Sequence, residues 1–494
     1  MRKRIRQAAF CKGIEPFRAW TVVFDPDSPS PVGERAHLAC GMVAEVAVGD
    51  AKVRNDFDGV SIFQRPIFNA TWNEEKRRWV DFVERGEEGF TLSPTEANRE
   101  VIYRCTPFWY RMELSDTGAL CLVSVTDRPL QGYSLAPIFR DGKTPVYRPA
   151  FETVLGPDDQ KLHSRAGLLP YVSSLSSLQY KLASHPSRVH CERGADWFCD
   201  YLLLLVEFAT CDLQSVMHGY CLNGVPLVDV SMENGDYPQG LYCSEEPMLE
   251  QGEKITVYGR DITTDVFKKA GVYTVAEVIP EEGAGYRIVC ENLDLPKLFS
   301  TTYEWKFTYE RKKTGMAISA VTNASSGRAS NDSMAPIVWR GKENPWGNVS
   351  SVLWDFVMRV DADKKWQLCH TEGGYNLILG SGLGQVPIGD AISSFSGEES
   401  FIKGMTVINN GDFMCPVSFD DTAADRYYAS RISKNYSDSD RSIWCVIGVG
   451  GNCTAEAGTN YTAMEIFGQK QANETNNLGS RLIFEEEYDE AIPD

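Results

Sequence analysis

The sequence predicts an α+β protein, and three patterns carry that prediction. Short apolar alternations broken by turn residues run through the first 125 residues. A strong 3.6-residue period occupies the middle of the chain. After Gly219 the chain returns to short strand-like runs separated by Gly- and Pro-containing turns. The chain has 494 residues, enough for about two to four domains at roughly 100–200 residues each. Its 43% hydrophobic and 11% aromatic content can build a large core, which excludes a disordered chain.

The elements follow in order. Trp20–Phe24 (WTVVF) is β-branched and apolar and is ended by Asp25-Pro-Asp-Ser-Pro-Ser-Pro. Met42–Val48 alternates. Tyr103–Tyr110 and Ala119–Val125 read as two strands joined by Ser115-Asp-Thr-Gly. Leu175, Leu178 and Leu182 at i, i+3, i+7 predict a short helix over 174–184. Asp196–Leu213 predicts the main helix, with apolar residues at 197, 198, 201, 202, 205, 208 and 209 and Asp196 as N-cap. Lys254–Tyr258, Val272–Val278 and Tyr286–Val289 form a small β module, with turn signals at Gly252, Gly271 and Glu281–Gly285. Gly315–Pro336, rich in Ser, Asn, Thr and Ala, reads as a mobile loop or linker. From Ile337 the chain is dense in Trp, Gly and Asn, and Phe484 opens an acidic tail.

Composition excludes several partners. With 49 Lys+Arg against 68 Asp+Glu the net charge is −19, which argues against nucleic acid or anionic lipid. No membrane insertion is expected: the best apolar run, Tyr201–Val206, stops at Glu207, and a span needs about 20 residues. The basic N-terminus MRKRIRQAAFCKG has no apolar segment behind it, so no secretory signal is expected. The 14 cysteines are scattered singly, which predicts free, mostly buried thiols formed in a reducing cytoplasm.

No catalytic constellation is legible, so the chain reads as a non-enzyme without cofactor or metal. There are six histidines and no H-E-x-x-H, G-x-S-x-G or Walker A pattern. Gly380-Ser-Gly-Leu-Gly and Gly448-Val-Gly-Gly lack the strand–G-x-G-x-x-G–helix context of a phosphate cradle. His163, His185, His190 and His218 read as structural. Cys445 and Cys453 read as small apolar residues, with a redox pair as the alternative. Asp420-Asp421 and Asp438-Ser-Asp440 lack a full Ca²⁺ ligand set.

The informative region is 337–484. Its Gly–Trp–Asn clusters suit irregular loops pinned on a sheet by buried aromatics, each burying about 150–250 Å². Arg340-Gly341-Lys342-Glu343-Asn344-Pro345-Trp346-Gly347-Asn348 matches R-G-x-E-N-x-W-G-N. Trp354-Asp355-Phe356 keeps part of W-x-D-G. Gly450-Gly451-Asn452-Cys453, Ala457-Gly458 and Gly479-Ser480-Arg481 match G-G-x-W, A-G and G-x-R, with Cys453 in place of Trp. Upstream, Gly132-Tyr133 through Gly142 fits G-Y-x-x-x-P-x-F-x-x-G, and Ser164 through Pro170 fits S-x-x-G-x-x-P. Glu207 through Gly219 fits E-x-x-T-x-x-x-Q-x-x-x-x-G. In this order the set resembles tail-fibre and receptor-binding proteins of tailed phages with a C-type-lectin fold. These are similar to the formylglycine-generating-enzyme superfamily and to the variable proteins of diversity-generating retroelements.

The resemblance implies a C-type-lectin-like domain over 96–221 and 336–484, a β-rich insertion at 222–335, an N-terminal β module at 1–95 for attachment or packing, and an acidic tail at 485–494. It implies a homotrimeric virion adhesin at a tail tip or fibre, assembled in the host cytoplasm. Its partners would be other tail proteins and a bacterial surface receptor, protein or glycan. By position, the receptor-facing and diversifiable residues would be Trp444, Asn452, Thr454, Glu456, Asn460, Tyr461, Thr462 and Glu465, with Tyr427, Tyr428 and Tyr436 before them. Arg340, Gly341, Glu343, Asn344, Trp346, Gly347, Asn348, Gly450, Gly451, Gly479 and Arg481 would be structural. Two alternatives remain: a structural tail or head-decoration protein, and a copper-dependent oxidase using Cys445 and Cys453.

Overall fold

A computed structural model describes residues 18–185, 189–220, 225–226, 241–243, 247, 249, 251–261, 266–281, 285–291, 303–309, 311–320, 326–329, 335–371, 385–397, 399–408, 413–420, 428, 430–436, 443–451, 460–468, 472 and 478–487. The chain forms two compact units, the smaller comprising Cys221–Lys312 together with Cys453–Ala457.

The predicted α+β, C-type-lectin-like class is corrected by the secondary structure. Strands account for 46% of the chain and helices for 11%, so the protein is β-rich. The main helix, α2 (Gly194–Phe208), follows α1 (Leu175–Leu182) and is shorter than its apolar period. It stops because Ala209 turns left-handed (φ 54°), its N–H still reaching the Leu205 carbonyl. Beyond it Thr210 bridges Val32, and the Cys211 N–H donates to the Pro31 carbonyl at 2.9 Å. Sheet-like pairing thus takes the last predicted turn. Asp196 is the third helical residue rather than the cap; its carboxylate receives the N–H of the N-cap Arg193 at 3.3 Å.

Every α2 residue except Ala195 is buried, as an all-round apolar helix must be. The helix packs against strands Trp20–Val23, Leu120–Thr126, Ser350–Val360 and Phe413–Asp420, which come from two sheets. Leu175, Leu178 and Leu182 of α1 are buried in a second cluster, and Ser174 caps that helix.

The N-terminal residues are woven into sheets with later strands. Trp20–Val23 pairs with Leu120–Thr126, and Ile67–Asn73 with Arg99–Cys105, so the expected boundary at 95 falls inside two sheets. The Gly315–Pro336 stretch, expected as a loop, contains a helical turn at Met316–Ala320 and a strand at Ser326–Arg328 that pairs with Ile337–Trp339.

The largest sheet has ten strands: β1 (Ser350–Val360), β2 (Lys365–Thr371), β3 (Gln385–Pro387), β4 (Ile392–Ser393), β5 (Glu399–Ile408), β6 (Phe413–Asp420), β7 (Arg431–Asn435), β8 (Ile443–Val449), β9 (Met464–Gly468) and β10 (Leu478–Gly479). Its order is β3-β2-β1-β8-β9-β7-β5-β6, with β4 on β2 and β10 on β1. The sheet curls until its ends meet. Trp366 on β2 lies 5.5 Å from Phe419 on β6, and Phe395 closes the aromatic group at 5.4 and 5.2 Å from them.

The smaller unit is a six-stranded antiparallel sheet. Gly271 is no turn there. It lies inside the 16-residue strand Val266–Glu281 opposite Val257, beside a register shift, where a bulge rather than a reversal uses the glycine. Among the described residues no helix is long and apolar enough to cross a membrane. All 11 described cysteines are free, ten of them buried and only Cys40 exposed, so none is committed to a disulfide.

Candidate functional site

The residues of the 340–348 motif converge with those of the 207–219 motif in one buried polar core. Arg340, left-handed at φ 45°, sends Nε and Nη2 to the Glu207 carboxylate at 2.7 and 2.8 Å. The same carboxylate accepts Asn55 Nδ2 and Trp339 Nε1, each at 2.8 Å. Such a bidentate, fully hydrogen-bonded pair offsets the desolvation of two charges at under 3% exposure. Trp346 Nε1 donates to Gln214 Oε1 at 2.8 Å, and a Cβ on Gly219 would lie 2.4 Å from that nitrogen. Glutamate, glutamine and glycine of one motif therefore each meet a residue of the other.

Neighbouring carboxylates extend the core. Glu343 accepts the N–H groups of Gly315, Ala317 and Ile318 at 2.6, 3.0 and 3.0 Å, holding the start of the 316–320 turn. Glu152 accepts Asn344 Nδ2 at 3.2 Å and Asn348 Nδ2 at 2.5 Å. Burial pushes both carboxyls up to about 7, against the opposing pull of these donors and of Arg481. Arg481 donates to the carbonyls of Glu343 and Asn344, the latter at 2.7 Å. Gly347 N–H donates to the Gly450 carbonyl at 2.8 Å, and Gly341, Gly347, Gly450 and Gly451 all have positive φ. A Cβ on Gly479 would press into Val349.

Charges that no motif singles out complete the core. Arg65 and Lys342 both reach Asp200, at 2.6 and 2.8 Å; Lys342 also bonds Glu192, and Arg65 lies 4.2 Å above the Trp339 ring. A signal for them is present in the sequence: Asp196, Asp200 and Glu207 interrupt an otherwise apolar helix, and buried carboxylates require partners. His163 is held between Glu100 (2.6 Å) and Asp159 (3.0 Å). Burial works against its charged form, but the Glu100 hydrogen bond and charge prevail and raise its pKa.

The predicted receptor-facing residues divide. Tyr428, Asn460, Tyr461 and Thr462 are each 0% exposed, and this corrects their expected placement on a binding face. Tyr461 stacks on Trp197 at 5.4 Å and donates its hydroxyl to the Trp197 carbonyl at 2.8 Å. Asn460 Nδ2 donates to the carbonyls of Cys211 and Tyr428, and its Oδ1 accepts the Leu213 N–H. Thr462 bonds Ser430, and the Tyr428 hydroxyl donates to the Gly118 carbonyl. Tyr427, Asn452, Thr454 and Glu456 lie outside the described residues. Cys445 is wholly buried, and Cys453 also lies outside the described residues.

Trp444, Glu465 and Tyr436 are half-buried. The register Val446↔Phe467 and Gly448↔Glu465 puts Trp444 and Glu465 on the same face of the large sheet. Arg359 on β1 is paired with Trp444 and places its guanidinium 5.8 Å from the indole centroid. Gln367, opposite Arg359 on β2, shares this face. Arg359 and Gln367 were not predicted, because no motif contains them; only the strand register joins them to Trp444. Tyr436 lies elsewhere: its hydroxyl accepts Trp366 Nε1 at 2.8 Å. On this face Trp444 and Arg359 form an indole–guanidinium pair on neighbouring strands, while the Gln367 Nε2 beside them donates to the carbonyls of Ile388 and Gly389 and Glu465 lies farther along, opposite Gly448. No family model matches the chain, and no curated protein matches it.

Proposed function

We propose that the chain is a receptor-binding protein of a tailed-phage virion, acting by adhesion to a bacterial surface molecule rather than by catalysis. The observation that carries this reading is the partly exposed edge of Trp444, with the exposed Arg359 over its ring. Tryptophan and arginine are the side chains most enriched among residues that dominate interface energy. A wide sheet with a hydrogen-bonded ionic core beneath its loops can hold such a pair without reorganisation. The ordered motif set supports the virion assignment by its likeness to phage tail proteins, and a homotrimer follows from the same likeness.

The test is flow cytometry of the labelled protein against a panel of bacterial cells. Saturable binding to some strains is expected, reduced about tenfold or more by Arg359→Ala with the thermal midpoint unchanged, and by Trp444→Ala, which also loses packing against the cluster around Val446 and Phe467. Binding indifferent to both substitutions refutes this face, and no binding to any strain favours the structural tail-protein alternative.

A further inference from the structure

Lys342 differs from the arginines of the buried core because an amine that gives up a proton becomes a nucleophile, whereas a guanidinium stays charged. It stands in the short strand Lys342–Glu343, which pairs with Ile337–Trp339. At 1% exposure its nitrogen reaches two carboxylates, Asp200 Oδ2 at 2.8 Å and Glu192 Oε1. A carbon–oxygen bond adds about 1.2 Å, so that nitrogen lies no more than about 4 Å from Asp200 Cγ. Arg65 donates Nη2 to the other Asp200 oxygen, Oδ1, at 2.6 Å. Its guanidinium is fixed in turn by the Tyr103 and Trp339 rings, whose centroids lie 5.1 and 4.2 Å away. Glu192 and Asp200 also line a small cavity of about 10 Å³, room for about one water.

An amine, a carboxylate polarised by a guanidinium, a second carboxylate and a space for water are the components of an amide condensation. We propose that Lys342 and Asp200 join in an intramolecular isopeptide bond, with Glu192 as the proton carrier. Burial works against the Asp200 carboxylate, but Arg65 and Lys342 prevail and hold its pKa low, so the reaction starts from the ion pair. Glu192 takes one proton from the Lys342 ammonium, and the freed electron pair forms the N–C bond at Asp200 Cγ. Arg65 meets the charge that develops on Oδ1. Glu192 passes that proton and then a second one from the nitrogen to Oδ2, the C–Oδ2 bond breaks, and water leaves into the cavity. The three ammonium protons end as one amide N–H and two on water; nothing is oxidised or reduced, and Glu192 ends as it began. Hydration favours the separate ions in water, but this core withholds it, and the amide removes two buried charges while Arg65 and Glu192 balance each other. Holding the reacting groups in contact supplies the high effective concentration that condensation needs. The bond ties α2 to the 337–343 hairpin and closes a covalent loop that contains Cys221–Lys312. It lies apart from the Trp444 face and does not depend on the receptor-binding reading.

The test is the intact mass of the purified full chain, measured after denaturation, with tandem mass spectrometry of its tryptic peptides. The expected mass is lower than that of the sequence by one water, with a branched peptide joining the segments around Lys342 and Asp200. Lys342→Arg keeps the positive charge but forms no link, so its mass is that of its own sequence. Glu192→Gln retains both reacting groups and lowers the linked fraction at a matched time by about tenfold or more. A wild-type chain at full sequence mass overturns the proposal, and so does a lost water mapped to any other pair of residues. A deficit that persists in Lys342→Arg, or linking at the wild-type level in Glu192→Gln, overturns it as well. The wild-type mass and peptide map decide the matter even where near-UV circular dichroism shows a variant to be misfolded.

Discussion

Glu207→Gln tests whether the buried ionic core holds the larger unit together. The carboxylate is wholly buried and accepts four close hydrogen bonds, two from Arg340 and one each from Asn55 and Trp339. Glutamine keeps the shape but turns one acceptor into a donor that faces donors. It also leaves the Arg340 guanidinium buried with Asp58, 3.2 Å away and 44% exposed, as its remaining carboxylate. Breaking a buried pair by removing one partner costs about 3–5 kcal/mol, and each orphaned donor about 1–3 kcal/mol within that sum. A loss of about 4 kcal/mol is expected, about a quarter or more of the roughly 5–15 kcal/mol typical of a folded domain. The assay is urea unfolding followed by tryptophan emission, which reports the larger unit because only Trp305 of the 11 tryptophans lies in the smaller one. The double replacement Glu207→Leu with Arg340→Met removes both charges and should recover at least about half of the loss. A single-mutant loss under about 1 kcal/mol, or additive effects in the cycle, would refute the view that this pair organises the core.

Two further outcomes are expected. Asp355 is buried and accepts the Gly194 N–H at 2.9 Å; desolvation raises its carboxyl to about 7. The folded protein therefore keeps a proton that the unfolded chain releases, so this contribution is full below about pH 4 and is lost as pH rises to about 7, at up to about 1.4 kcal/mol per pH unit. Asp355→Asn keeps the acceptor and removes the titration, so urea midpoints should coincide with wild type below about pH 4 and exceed it increasingly from there up to about pH 7; parallel curves would disprove the assignment. Gly118 has φ +79°, and a Cβ there would lie 2.6 and 2.7 Å from the Met405 backbone, whereas Gly132 at φ +78° has nothing within 4 Å. Gly118→Ala should lower the thermal midpoint well beyond Gly132→Ala, since the second carries only the left-handed cost of about 1–2 kcal/mol and the first adds the clash; equal shifts would show that the 115–118 turn does not seat on β5.

Local pattern was legible where one element decides its own shape. The leucine spacing of α1, the turn at Ser115–Gly118 and the strands of the smaller unit follow from period and turn chemistry, whereas the expected strand Tyr103–Tyr110 is split between Arg99–Cys105 and Trp109–Leu114 in different sheets, broken at Thr106-Pro107. The features that differ are set at long range. The end of α2 depends on Val32 and Pro31, over 170 residues upstream, which claim Thr210 and Cys211 for sheet-like pairing. Gly271 carries the same turn signal as Gly252, yet a strand passes through it because Val257 lies opposite. The fold class differs from expectation for a related reason: a strong helical period names one helix, while the many short strands that outnumber it carry weak individual signals.

The same distinction separates scaffold from ligand face. Asn460, Tyr461 and Thr462 lie between the G-G and G-x-R motifs, where the resemblance places variable side chains, and polar or aromatic identity alone makes them good binding candidates. Here their polar atoms are spent on Cys211, Tyr428, Trp197 and Ser430, so a substitution at any of the three removes a core contact. Trp444 and Glu465 differ because the β8–β9 register turns them to the other face, whose Val446 and Phe467 are buried in the second cluster while Trp444 only packs against its edge, away from the core around Trp197. Under the receptor-binding proposal, preference should therefore vary through Trp444 and Arg359, which strand pairing rather than sequence proximity brings together.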